Sequence, residues 1–164
     1  MDLTDREVKI FFTDKEVEQE YRYRVGLKPH TEKSVGVDLI TSQEIRLNLG
    51  EVTLIDFGVI IKVPEDCFAV IVPRSSLFKK YGVIQTNHFG VIDGDYSGDT
   101  DVLKMSVQCT GTHSNGRTDK FDTVIPKHTR VAQLFLLPKI TFHMIPCREH
   151  WGDDSRGGFG STGE

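Results

Sequence analysis

Short apolar runs rich in valine, isoleucine and phenylalanine recur along the chain, and turn-forming residues stand between them. Runs of this length, bounded by glycine, proline or asparagine, are typical of β-strands. Long helical patterns do not alternate with them, which weighs against a doubly wound sheet. The pattern therefore predicts an all-β sandwich, jelly roll or barrel. The runs are Val8–Phe12, Ile45–Leu49, Val52–Phe57, Val59–Val63, Phe68–Val72, Val83–Gln85, Val102–Cys109, Phe121–Ile125, Val131–Leu137 and Thr141–Ile145.

Two segments depart from this strand pattern. Asp14–Arg24 begins with a residue type that favours helix N-caps and continues with straight-chain residues, so it predicts a short surface helix. Ser76–Tyr81 predicts one or two helical turns, and Gly82 follows where a glycine would end them.

Length and charge narrow the class of protein. The 164 residues suit one β domain, assigned to residues 1–154, and a glycine-rich tail at 155–164 that we expect to be flexible. A net charge of −4 argues against a basic face for long nucleic acid. No apolar run approaches the ~18 residues of a membrane span, and the acidic N-terminus is unlike a signal peptide. Three cysteines without CxxC spacing favour a reducing compartment, so we expect a cytoplasmic protein.

The segment Pro73–Leu77, with sequence PRSSL, follows one predicted strand and precedes the second predicted helix. Two hydroxyl groups, an arginine and the N–H groups of a helix start could together hold a phosphate. The alternative is that Ser75 or Ser76 only caps the helix and that Arg74 is solvated.

The segment Gly90–Asp99 places an apolar pair before a turn that carries three acids and a tyrosine. A carboxylate beside an apolar wall can serve as a general base. The alternative is a hairpin turn whose acids only face water.

The C-terminal sequence RGGFGSTG, from Arg156 to Gly163, combines glycines with a cation, two hydroxyl groups and an aromatic ring. Glycine lets backbone N–H groups wrap an anion, and Phe159 could stack on a base. The alternative is a terminus without a role.

The order of these segments is more specific than any one of them. SVGVDL at Ser34–Leu39, PRSSL, GVIDGDY at Gly90–Tyr96, TRVAQL at Thr129–Leu134 and RGGFGSTG follow one another along the chain. This series resembles the five ordered motifs of the trimeric deoxyuridine triphosphatase (dUTPase) family. The resemblance implies a distorted jelly roll, also called a β-clip, that assembles as a homotrimer with shared active sites. It also implies hydrolysis of dUTP to dUMP and pyrophosphate, with Mg²⁺ held mainly by the triphosphate.

The same resemblance implies roles for individual residues. Asp93 would activate the attacking water, and Tyr96 would pack under the deoxyribose. Asp38 would lie behind the waters of the metal or hold the fold. The remaining implied contacts are to uracil from Asn87, Val91, Ile92 and Phe159, and to the phosphates from Arg74, Ser75, Ser76, Gln133, Arg156, Ser161 and Thr162.

Some features depart from the family pattern. Arg156 and Phe159 are separated by fewer residues than is usual, and Thr110–Lys120 is a longer loop with no apolar residue. That loop is a candidate contact for a protein partner. Two other functions are compatible with parts of the pattern: a deoxycytidine triphosphate deaminase of similar fold, and a nucleotide-gated protein-interaction switch.

Overall fold

The structure is a computed structural model and describes residues 6–111 and 122–154. Within these ranges the chain is mostly antiparallel β-structure, which confirms the all-β prediction with short helices. Helix α1 (Lys15–Glu20) continues as a π-helical turn over Tyr21–Val25, and α2 spans Ser76–Tyr81. The strands are β1 (Lys9–Phe12), β2 (Val37–Ile40), β3 (Ile45–Leu47), β4 (Val52–Asp56), β5 (Val59–Lys62), β6 (Cys67–Pro73), β7 (Val83–Gln85), β8 (Gly90–Ile92), β9 (Lys104–Cys109), β10 (Thr123–Ile125) and β11 (Arg130–Pro138).

Over the described ranges the strands pair into four small antiparallel sheets. The largest has the order β2-β11-β6-β8, and the next has the order β4-β9-β7. Two further pairs, β1-β5 and β10-β3, complete the pairing. In the largest sheet the long strand β11 lies between β2 and β6, so it connects three of the segments that the sequence singled out.

Alternation of side chains along the strands builds the core. In β9, Met105, Val107 and Cys109 are buried, whereas the intervening residues face outward. A half-buried antiparallel strand has this period of two. Phe57 and Leu103 fill the same core and are fully buried.

The predicted N-terminal helix is present, and one of its faces belongs to the core. Asp14 caps α1, because its carboxylate accepts hydrogen bonds from the N–H groups of Glu16 and Val17 at 2.7 and 3.1 Å. Val17 and Tyr21 are buried, and the phenol oxygen of Tyr21 accepts the Ile40 N–H at 3.2 Å. Burial raises the pKa of Tyr21 well above its ordinary value.

The strand predicted at Thr141–Ile145 is wrong, because residues 139–147 form no strand. No strand in the described residues pairs with this segment. Its apolar side chains are exposed, among them Phe142 at 78% and Met144 at 88%. We call residues 140–151 the C-terminal arm. The sequence also did not predict β2 and β8 as strands; each is short and interrupted by glycine or an acid.

None of the helices in the described ranges is long and apolar enough to span a membrane.

Candidate active site

The PRSSL segment forms the predicted junction between β6 and α2. The Arg74 N–H donates to the Val131 carbonyl at 2.9 Å, which fixes the junction against β11. Ser75 has helical backbone angles of −54° and −25°, and its side chain makes no capping hydrogen bond in this part of the structure. The capping alternative is therefore wrong for Ser75, which is an exposed residue.

The Asp38 carboxylate lies between two guanidinium groups. Its Oδ1 is 3.2 Å from Nε of Arg74, and its Oδ2 is 3.4 Å from Nη1 of Arg130. The Asp38 side chain is 15% exposed, whereas Arg74 is 33% exposed. Arg130 also donates to the Arg24 carbonyl at 2.7 Å, which ties the cluster to the end of the π-helical turn. Two cations and one anion leave a positive charge, which suits a phosphate.

A β-bulge places Arg130 in this cluster. The register between β11 and β2 shifts between Arg130 and Ala132, while Gln133 lies directly opposite Asp38. Opposed residues of an antiparallel pair share one face of the sheet. Residues three apart on a regular strand would point to opposite faces, and the extra residue of the bulge brings Arg130 back to Asp38.

Gly36 lies close to Gln133 on the adjoining strand β11. A Cβ atom at Gly36 would be 3.2 Å from the Gln133 Cβ and 3.4 Å from its Oε1. The glycine of the SVGVDL motif therefore makes room for the Gln133 side chain.

A second group of predicted residues lines one surface recess of about 450 Å³. Its walls are Val91, Ile92, Asp93, Asp95, Tyr96 and Lys104. Asp93 and Tyr96 belong to one tight turn, in which the Tyr96 N–H donates to the Asp93 carbonyl at 3.2 Å. The Tyr96 hydroxyl donates to the Val102 carbonyl at 3.3 Å, so both ends of this residue are held.

Asn87 lies in the loop between β7 and β8. It precedes β8, whereas Asp93 follows β8 at the opposite end of the strand. The Asn87 carbonyl accepts the Phe89 N–H at 2.6 Å, and His88 between them has φ of 61°. That left-handed angle is uncommon for a residue with a side chain and marks a tight turn. Strand β8 is the outer strand of its sheet in the described ranges, so part of its backbone is unpaired.

The structure does not bring all the predicted residues together within one chain. Ile92 is paired with Ala69 near the start of β6, whereas Arg74 follows the end of β6. Ala69 and Arg74 are five positions apart in extended chain, or roughly 16 Å. The Asp93–Tyr96 recess and the Arg74–Asp38 cluster are therefore two half-sites on opposite ends of the sheet.

The described residues offer no group of three His, Cys, Asp or Glu side chains that could hold a metal ion. Both oxygens of Asp38 already face guanidinium groups. The protein residues described here therefore do not form a metal-binding set. Four predicted contacts, Arg156, Phe159, Ser161 and Thr162, lie outside the described residues, as does most of the loop Thr110–Lys120.

The sequence motifs predict no role for Arg130, Lys104 or Gln85, although each of these residues contacts or adjoins the half-sites. Arg130 lies within a motif, but only the bulge reveals that it faces Asp38. Lys104 reaches the recess because β9 starts beside the Asp93 turn. No sequence signal identifies Gln85, whose buried amide bonds to Asn87.

Comparisons with known proteins define the class. The dUTPase family model matches residues 24–163. The SPbeta prophage-derived deoxyuridine 5'-triphosphate nucleotidohydrolase of Bacillus subtilis (strain 168) is 35% identical over 127 residues, which cover 77% of this chain and 82% of that protein. A deoxyuridine 5'-triphosphate nucleotidohydrolase of Rickettsia typhi is 36% identical over 143 residues, covering 81% and 84%.

A solved structure supports the fold. The dUTPase of Staphylococcus bacteriophage 80alpha with dUPNHPP superposes with a TM-score of 0.74 at 19% identity, covering 98% of this chain and all of that one. The jelly-roll-like architecture and the order of the motifs are those of an all-β nucleotide hydrolase. The chain belongs to the dUTPase family.

Proposed function

We propose that the protein hydrolyses dUTP to dUMP and pyrophosphate and that Asp93 activates the attacking water. The observation that carries this proposal is the shared turn of Asp93 and Tyr96, which puts a carboxylate and an aromatic ring in one recess. A base in this position could take a proton from water as it attacks the α-phosphorus. The breaking bond joins the α-phosphorus to the bridging oxygen, which leaves with pyrophosphate.

Tyr96 selects the sugar in this proposal. Its ring is 39% exposed at the recess, and its hydroxyl is bonded to the Val102 carbonyl, so the ring cannot easily turn away. A ring packed under the ribose excludes a 2′-hydroxyl by direct overlap. Exclusion of an added group by a fixed wall gives useful discrimination between substrates.

The phosphates bind at the other half-site. Arg74 has a donor fork partly open to solvent, and Ser75, Ser76 and Gln133 add neutral donors near it. The excess positive charge of the Arg74–Asp38–Arg130 cluster attracts the triphosphate. Phosphoryl transfer depends mainly on such positioning and charge stabilisation. The Mg²⁺ ion enters as part of the substrate, on the triphosphate, and Asp38 orients Arg74.

The separation of the half-sites supports a homotrimer with shared sites, the assembly that the family resemblance implies. Within one chain, Arg74 and Asp93 lie toward opposite ends of β6, roughly 16 Å apart along the strand. A neighbouring copy can supply the missing half. The C-terminal arm carries exposed apolar side chains, including Ile140 at 84% and Trp151 at 83%, and these would be buried by such a neighbour.

The tail completes the site in this proposal. Phe159 covers the uracil, and Arg156, Ser161 and Thr162 contact the phosphates, so bulk water is excluded during the reaction. We place the reaction in the cytoplasm, in keeping with free cysteines at positions 67, 109 and 147. A protein partner that binds through Thr110–Lys120 remains a prediction from the sequence.

Release of pyrophosphate from dUTP, dTTP, dCTP and UTP, measured side by side, tests the function. We expect turnover of dUTP alone at an appreciable rate. Release of ammonia from dCTP would instead identify a deaminase. Comparable rates on UTP would contradict the role of Tyr96, and comparable rates on dTTP would contradict a tight base site.

A further inference from the structure

Gln85 is a buried polar residue beside the loop that carries Asn87. It ends β7 and is 6% exposed. Its Nε2 donates to the Ile71 carbonyl at 3.3 Å and to Oδ1 of Asn87 at 3.1 Å. Its Oε1 is buried and has no hydrogen-bond partner among the described residues. Both side-chain hydrogen bonds of Gln85 therefore come from its amide nitrogen, and they hold the amide in this orientation although buried oxygen atoms are normally paired.

The Ile71 carbonyl fixes which way the Gln85 amide points. A backbone carbonyl can only accept a hydrogen bond, so it requires the amino group of Gln85. The opposite orientation would put Oε1 against the Ile71 carbonyl oxygen, and two acceptors would then face each other. The second hydrogen of the same nitrogen is directed to Asn87.

This arrangement also fixes the Asn87 amide. Because Gln85 offers a donor, Asn87 must turn its oxygen inward, and its amino group is left as the outward-facing group. Asn87 is exposed, and its Nδ2 has no partner in the described part of the chain. The outward-facing amino group of Asn87 is therefore available to donate a hydrogen bond to a ligand.

We propose that Gln85 is a positioning residue for base selection, because it holds the Asn87 amide with its donor toward the nucleotide. A uracil edge presents a carbonyl oxygen where cytosine presents an amino group, and only the carbonyl can accept from Asn87. The inference rests on the proposed function, since it requires that the base lies against the β7–β8 loop. It adds that the Ile71 carbonyl orients the Gln85 amide and that the Gln85 amide in turn orients the Asn87 amide.

The test measures the dissociation constants of dUMP and dCMP by calorimetry, which needs no turnover. The variants are Gln85→Met, which keeps the volume of the side chain but removes its amide, and Asn87→Ala on the exposed loop. We expect each to lower the ratio of the dCMP constant to the dUMP constant by about tenfold, the effect of one lost hydrogen bond. Gln108→Met is the matched control, because Gln108 lies opposite Ile84 on β9 and its side-chain amide donates to the Gly50 carbonyl at 3.1 Å instead of to Asn87.

The double variant Gln85→Met/Asn87→Ala distinguishes positioning from general support of the fold. If Gln85 acts through Asn87, Gln85→Met changes the ratio in the wild-type background and leaves it unchanged in the Asn87→Ala background. A ratio that stays at the wild-type value in Gln85→Met overturns the inference. Should Gln85→Met fail to fold, an unchanged ratio in Asn87→Ala overturns it equally.

An assay of dUTP hydrolysis by the wild-type protein distinguishes a failure of this inference from a failure of the proposed function. Wild-type protein that releases no pyrophosphate from dUTP contradicts the proposed function, whatever the binding ratios. Wild-type protein that hydrolyses dUTP, together with unchanged ratios in both variants, contradicts only the role of Gln85.

Discussion

The Asp38 carboxylate binds the Arg74 guanidinium with one oxygen and the Arg130 guanidinium with the other, at 3.2 and 3.4 Å. The pairing lies mostly away from solvent, because the Asp38 side chain is 15% exposed. One acid on β2 thus sets the direction of an arginine that follows β6. The two strands do not touch; β11 lies between them and supplies Arg130.

Asp38→Asn should weaken substrate use and stability together. The two guanidinium groups lose their shared partner, so unfolding should become easier by about 1–2 kcal/mol. The KM for dUTP should rise about tenfold, because Arg74 is no longer held toward the phosphates. Melting temperature and steady-state kinetics measure both effects. Glu44→Gln, which breaks an exposed pair with Arg46, is the control and should cost under about 1 kcal/mol.

A Mg²⁺ titration on the Asp38 variant tests the competing role. If Asp38 only orients Arg74, the Mg²⁺ concentration for half-maximal rate is unchanged. A large shift in that concentration, with an unchanged KM for dUTP, would assign Asp38 to the waters of the metal.

Asp93→Asn should abolish turnover and leave nucleotide binding largely intact. The amide keeps the size of the side chain and cannot accept the proton of water, a loss that typically costs ~10²–10⁴-fold in rate. Single-turnover hydrolysis and dUMP affinity measure the two quantities. Asp99→Asn, in the exposed stretch after the recess, is the control. Turnover within a few-fold of wild type would show that Asp93 is not the base.

Gly82→Ala should destabilise the protein by about 2 kcal/mol more than Gly50→Ala, because a forced steric overlap adds to backbone strain. Both glycines have left-handed φ angles, 61° at Gly82 and 80° at Gly50. A Cβ at Gly82 would lie 2.7 Å from the Gly111 carbonyl oxygen, whereas one at Gly50 would meet none of the described residues within 4 Å. Denaturant unfolding of both variants measures the difference. Equal losses of unfolding free energy in the two variants would show that the segment at Gly111 moves aside without reducing stability.

Asp14→Asn should reduce the melting temperature at neutral pH and match wild type in acid. Hydrogen bonds from the Val17 and Glu16 N–H groups hold the pKa of Asp14 below its ordinary value in the folded protein. A carboxyl whose folded pKa is lowered stabilises above its unfolded pKa and loses that contribution as the pH falls through the folded pKa. The gap between wild type and variant should therefore close below about pH 4. A gap that does not vary with pH would assign the effect to cap geometry alone.

A chain that ends at Asp154 should fold and assemble as the full chain does and lose most of its activity. Residues 155–164 contain one large apolar side chain, Phe159, so their removal takes away little buried surface. Melting temperature, oligomer size and dUTP hydrolysis of the two chains give the comparison. Phe159→Ala in the full chain should reduce kcat/KM clearly. Equal activity of the truncated chain would contradict the role of the tail in catalysis. A much lower melting temperature of the truncated chain would show that the tail stabilises the fold.

Most of the strands, though not β2 and β8, and helix α2 were predictable because each is a local pattern. Ser76–Tyr81 has its stop signal in the next residue, and Gly82 indeed has the left-handed angle that ends the helix. The strand pairs could not be predicted in the same way. Pairing depends on which distant segments cover each other, and the false strand at Thr141–Ile145 has strand composition but no partner among the described residues.

The site was predictable in its parts and not in its arrangement. Ordered motifs identified Asp93 and Tyr96, and the structure places them in one recess. Nothing local to Asp38 signals that it binds two arginines, one 36 and the other 92 positions away in the sequence. The contact between Gln85 and Asn87 could not be predicted from the sequence either, because a glutamine at the end of a strand usually faces solvent.

The bulge in β11 has a consequence for how this segment can vary among homologous chains. Arg130 and Gln133 face Asp38 together only because one extra residue stands between them. Replacing Val131 by another buried aliphatic residue would keep that spacing, whereas deleting it would turn Arg130 to the opposite side of the sheet. The length of this short stretch is therefore more strictly constrained than its composition. Sequence alignments should tolerate mismatches there and almost no gaps.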